Sequence, residues 1–182
     1  RLGVRPIKTG KYPIIFEAPI ATSVISSLIS AISGGNLYRE TSFLLNSLNT
    51  KIASDSLSII EDPFIKKGHA SCNFDGEGVR LAERKIIDNG FLQNYFLSSY
   101  SARKLGMQTT GNSGGAHNLI VSSSEQTLEE LVQGIDKGLL ITELLGHGLN
   151  MVTGDYSRGA AGFWIESGKI QHAVEEITIA SN

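Results

Sequence analysis

Cysteine occurs once in 182 residues, at Cys72, which excludes an intrachain disulfide framework and a cysteine-rich structural zinc site. An excess of positive charge is missing too: 16 Lys and Arg stand against 18 Asp and Glu, a formal net charge of -2. No basic field is available to neutralise phosphates, so no direct nucleic-acid binding is expected. Long hydrophobic runs are absent. The longest charge-free stretch, residues 18–38, is about half Ser, Thr, Asn, Pro and Gly, and no membrane association is expected from it. Proline is scarce, with four residues, whereas 20 glycines favour turns and close backbone approaches over disorder. The chain opens on Arg1 without an initiator Met or a signal-peptide pattern, and it reads as a piece of a longer cytoplasmic protein.

Apolar periodicity places a strand at residues 14–16 and a helix after Pro19, where Ile20, Val24, Leu28 and Ile32 recur at four-residue steps. Gly34 and Gly35 are expected to end that helix in a left-handed conformation, and Phe43, Leu44, Leu45 and Leu48 suggest a second helix from about Tyr38. Residues 57–60 read as a strand stopped by Asp62-Pro63; residues 79–88 and 91–97 read as a hairpin around Asn89-Gly90. Thr127 and Glu130 match a capping box at the start of a short helix. Residues 138–145, 162–166 and 170–179 read as strands, the last two joined by Ser167-Gly168. Strand runs without regular β-α alternation predict an α+β fold, predominantly antiparallel β-sheet with a few short helices. Apolar residues on both parities of the last strands predict a sheet covered on more than one side, either by the two early helices or by another subunit, and a dimer or higher species is expected in solution.

Chemistry is sparse. Gly111-Asn112-Ser113-Gly114-Gly115 invites comparison with a serine-protease nucleophile loop, with His69 or His117 as base and Asp155 as orienter. Glycines on both sides of Asn112-Ser113 are better explained by a sharp bend or a close approach to another chain. No pair of His one helical turn apart with a nearby Glu occurs, and His69 with Cys72 is the only close pair of soft ligands, so no metal is assigned to this chain. Asp75, Glu77 and Glu83, with Arg80 and Arg84 among them, read as exposed charged faces. Asp155 and Arg158 have two readings: a partner-positioning loop, or an ion pair within the turn.

Five runs resemble the TldD/PmbA family, named for modulation of DNA gyrase: Phe74-Asp75-Gly76-Glu77-Gly78, Ser101-Ala102-Arg103-Lys104-Leu105-Gly106, Thr110-Gly111-Asn112-Ser113-Gly114-Gly115-Ala116-His117-Asn118, Thr153-Gly154-Asp155-Tyr156-Ser157-Arg158-Gly159-Ala160 and Val174-Glu175-Glu176-Ile177-Thr178-Ile179-Ala180. Tyr156-Ser157-Arg158-Gly159-Ala160 and Val174-Glu175-Glu176-Ile177-Thr178 resemble its PmbA (TldE) branch. The resemblance covers residues 1–182 as a C-terminal portion truncated at both ends. It implies a cytoplasmic heterodimeric zinc metalloprotease acting on peptides or unfolded segments. In that family the TldD-like subunit holds zinc through an HExxxH helix and a cysteine; neither maps onto this chain.

The expected role is therefore a non-catalytic partner that completes the dimer and the substrate cleft, with no catalytic residue or metal of its own and zinc in a TldD-like partner. Self-association is the other pairing. The other function is a regulatory module that binds DNA gyrase or another protein without proteolysis. The expected peptide contacts are Asn112, Gly114, Gly115 and His117 on one glycine-flanked loop, and Asp155 and Arg158 on another.

Overall fold

A computed structural model describes residues 3–182. Along the chain run β1 (Ile14–Phe16), α1 (Ala18–Ala31), α2 (Gly34–Tyr38), β2 (Ile59–Glu61), β3 (Arg84–Asp88), β4 (Phe91–Leu92), α3 (Ser99–Lys104), β5 (Leu119–Val121), α4 (Leu128–Gln133), β6 (Lys137–Leu145), β7 (Tyr156–Glu166) and β8 (Lys169–Ser181). The fold is α+β, as the strand-rich sequence predicts. Among the described residues no helix is long and apolar enough to cross a membrane. Two compact units form: one joins the chain up to Ser27 to Glu125–Asn182, and the other is Leu28–Ser124.

In the first unit the sheet order is β1-β6-β7-β8, with β1 parallel to β6 and the other pairs antiparallel. The mixed parity of β6 and β7 has the expected consequence, because both faces of the sheet are covered. Leu139, Ile141, Ala160, Trp164, Val174 and Ile179 form one apolar layer, against which Ile7 and Tyr12 pack. Tyr12 meets Trp164 edge-on at 5.0 Å. Val132 of α4 covers the other side with Leu140 and Ile165. Both halves of the capping box are made at Thr127 and Glu130.

In Leu28–Ser124 the sheet order is β4-β3-β2-β5, antiparallel throughout. Its strands are shorter than the sequence suggests, β3 beginning at Arg84 and β4 ending at Leu92. The reason lies upstream, where the N–H of Leu81 donates to Asn73 O and that of Asp75 to Val79 O, closing a loop rather than extending a ladder. β5 and α3 were not anticipated: each is too short to show a period.

Two helix expectations are corrected. Gly34 and Gly35 do not end a helix in left-handed backbone. Ser33, extended at φ -77° and ψ 138°, caps a new one, and Gly34 N–H donates to Phe96 O. The second helix is thus Gly34–Tyr38, and the leucine-rich stretch after Tyr38 forms turns. Glu40, Asn46 and Asn49 adopt positive φ there, while the Tyr95 hydroxyl donates to Leu44 O and accepts from Ser47 N–H. Those are groups a continuing helix would have paired with itself.

Candidate functional site

Strand alternation builds the site. Ile59 and Glu61 are both fully buried, two residues apart on the same face of β2. In the antiparallel register Glu61 lies opposite Arg84 on β3 and Leu119 on β5, which brings the residues just before β5 to its carboxylate. Arg84 Nη2 donates to Glu61 Oε2, and also to Asn112 Oδ1 at 2.7 Å. Asn112 Nδ2 donates to Glu61 Oε1 at 2.8 Å and to Gly115 O at 3.1 Å, while Thr110 Oγ1 donates to Asn112 Oδ1 at 2.8 Å. His117 completes the cluster, its N–H 2.8 Å and its Nδ1 2.9 Å from Glu61 Oε1. Because Nδ1 faces a carboxylate it carries a proton in this contact.

A second carboxylate holds the other side of the loop. Asp75 Oδ1 accepts the N–H groups of Glu77 and Val79, both at 2.9 Å, and Oδ2 accepts that of Ser113 at 3.0 Å. Burial pushes the Asp75 carboxyl up, but these three amides together outweigh it, with His117 charge adding to them, and its pKa lies below the ordinary 3.8. A depressed folded value means stability that is present above the unfolded value and is lost as pH falls through the folded one. Asp75→Asn is therefore expected to cost roughly 1–2 kcal/mol at neutral pH and to flatten the acid branch below about pH 4, measured by urea unfolding across pH. An unchanged acid branch would count against it.

Residues 110–117 are thus pinned from two sides, while Gly114 and Gly115 remain exposed at φ 114° and 112°. A Cβ built on either meets no atom within 4 Å. The conformation requires glycine, but no neighbour within the chain does: the space over the loop is open.

Asn112 and His117 therefore converge, with Gly114 and Gly115 on the same loop. Asp155 and Arg158 belong to the other unit. The ion pair between them does not form. Asp155 accepts from Thr153 Oγ1 at 2.6 Å and Asn182 Nδ2 at 2.9 Å, bonds that hold its carboxyl below the usual range, whereas Arg158 sits in β7 opposite Ile179 with its Nε buried and unpartnered. The triad geometry is absent as well, since His117 turns to Glu61 and His69 is exposed. Asp75 and Arg84 are not exposed charges, because backbone amides and Glu61 draw them inward; Glu77 is exposed, and its Oε2 accepts Ser99 N–H. Glu61 is the residue that sequence reading missed. Its signal was parity: the last residue of Ile59-Ile60-Glu61 shares the inward face of Ile59.

Residues 9–182 match the family described as the PmbA/TldA metallopeptidase C-terminal domain. Metalloprotease PmbA of Escherichia coli is 49% identical over 182 residues, all of this chain and 40% of that protein. A solved structure from Bacteroides thetaiotaomicron, assigned as a modulator of DNA gyrase, superposes with a TM-score of 0.95 at 37% identity, over the whole chain and 41% of its own. TldE from Thermococcus kodakarensis follows the fold with a TM-score of 0.84 at 31% identity, over 98% of this chain and 43% of its own. The chain spans about two fifths of the length of these relatives.

Proposed function

Because this chain belongs to the PmbA/TldD metallopeptidase family through its C-terminal domain, we propose that it is the peptide-holding, non-catalytic part of a cytoplasmic two-subunit metalloprotease. The observation that carries the reading is the loop with an open glycine backbone, fixed from beneath by Glu61 and Asp75. A rigid main chain with free space above it suits an extended peptide held by backbone hydrogen bonds, and recognition of that kind tolerates many sequences. In this reading Asn112 positions the loop, since its amide is engaged by Arg84, Glu61, Thr110 and Gly115. His117, held by Glu61 through Nδ1, fixes the far end of the same loop.

The family implies zinc, and the donor chemistry here does not fit it. Among the described residues no three His, Cys, Asp or Glu side chains converge on one point. Glu61, the carboxylate beside His117, already accepts on both oxygens. In this reading the zinc belongs to a TldD-like partner subunit. Pairing is with that subunit or with a second copy, and the further peptide contacts are Asp155, in the turn before β7, and Arg158, on β7 itself.

The test is Gly115→Val in the enzyme reconstituted with a TldD-like subunit. A β-branched residue at this φ reshapes the loop at a cost of about 1–3 kcal/mol, without a clash in the fold. Peptide turnover is expected to fall on the order of tenfold or more while subunit pairing persists. A folded, paired variant with unchanged turnover would remove the loop from the substrate site. Arg158→Ala, assayed in parallel, tests the further contacts. Preferential capture of gyrase over the TldD-like subunit at physiological salt would replace this reading with a regulatory one.

A further inference from the structure

Beside residues 112–115, within Leu28–Ser124, lies a cavity of about 340 Å³ walled by Tyr38, Phe96, Ser98, Tyr100 and Ser101. This is the low end of ligand-pocket volumes, room for one side chain rather than a whole cofactor. Three serine hydroxyls in its wall are already engaged. Ser98 Oγ accepts Ser101 N–H at 3.2 Å, Ser101 Oγ donates to Ser98 O at 3.2 Å, and Ser33 Oγ donates to Ser30 O at 2.9 Å. Asn112, at its edge, is fully engaged as described above. Facing the cavity are the rings of Tyr38, Phe96 and Tyr100 and the glycine backbone, with Ser113 at the loop side, a wall that is mainly ring surface.

Tyr38 and Tyr100 meet edge-to-face at 5.5 Å and 83°, and Tyr100 is still 50% exposed. A third ring extends such a pair favourably. Charge narrows the occupant further. Arg39 sits 5.3 Å over the Tyr38 ring and Lys104 5.7 Å over that of Tyr100. Arg39 otherwise donates only to Tyr38 Oη and Asn36 Oδ1, both neutral, and neither cation joins an ion pair among the described residues. Glu77 does approach α3, but its Oε2 is held by Ser99 N–H.

We propose that this cavity is the subsite for an aromatic side chain flanked by carboxylates in the bound peptide, an assignment that rests on the peptide-holding role of the adjacent loop. The experiment titrates the isotopically labelled 182-residue chain with acetyl-Asp-Phe-Asp-amide and with its Ala-, Leu- and Lys-flanked counterparts, following amide shifts by NMR. The Asp-Phe-Asp probe should shift Tyr38, Tyr100, Gly114 and Gly115 and bind about fivefold or more tighter than the Ala and Leu probes. The Lys-flanked probe should bind more weakly, and Tyr100→Ala should abolish the Phe advantage, so that the Phe and Ala probes bind that variant equally. Equal affinity for Phe, Ala and Leu probes, indifference to flanking charge, or an unaltered Tyr100→Ala would overturn the subsite. If the Ala probe still shifts Gly114 and Gly115, the loop's role survives that failure; if no probe perturbs the loop, both fall.

Discussion

Glu61→Ala is expected to destabilise Leu28–Ser124 by about 3–5 kcal/mol, because it strands the Arg84 guanidinium in the interior without its carboxylate. Only 16% of the Arg84 side chain is exposed, and its Nε and Nη1 already lack partners, so the cation has little water to fall back on. Asn112 and His117 lose their shared acceptor in the same stroke. Removing the cation as well separates charge from packing: Glu61→Ala with Arg84→Met should be more stable than Glu61→Ala alone. Urea unfolding of the three chains decides it. A cost below about 1 kcal/mol for the single variant, or a double variant that is worse, would show that the cluster is not held by its charges.

The second large effect concerns the other sheet. Gly162 of β7 lies opposite Ile141 of β6, and a Cβ added there would drive into the backbone carbonyl of Leu140 rather than into a movable side chain. Gly162→Ala should therefore force β6 and β7 apart at a cost of about 3 kcal/mol or more, the upper end of what overpacking does. Trp164, the chain's single tryptophan, faces Leu139 in the same pair of strands, so its emission reports the change directly. Unfolding by tryptophan fluorescence that matches the unsubstituted chain within about 1 kcal/mol would mean the strands have slack that the structure does not show.

The two clusters also mark what a sequence can disclose. The Asn89-Gly90 and Ser167-Gly168 hairpins and the capping box at Thr127 are local devices whose partners lie within a few residues, and each was readable. Glu61 was not, because its partners lie 23, 51 and 56 residues along the chain, at Arg84, Asn112 and His117. The inward-facing carboxylate was visible as parity, but its neutralising partners required the β2 register. The loop residues Asn112, Gly114, Gly115 and His117 were identified together from their glycines, and the structure adds the physical distinction between them: Asn112 and His117 face the buried carboxylate, whereas the glycines face open space. Asp155 and Arg158 were paired on sequence proximity alone. A turn residue next to a strand residue need not share a direction, and here they do not.

The parallel seam between β1 and β6 bears on the order in which the chain can fold as it is made. Ile14, Ile15 and Phe16 take as partners Leu139, Leu140 and Ile141, so on the ribosome β1 emerges well before its β6 partners. Leu28–Ser124, by contrast, is continuous and contains every partner of its own sheet. During synthesis Leu28–Ser124 holds every partner of its own sheet first, whereas β1 gains its parallel neighbour only when β6 is delivered. An interruption of translation before Leu139 leaves Leu28–Ser124 with its sheet complete and β1 without its β6 neighbour.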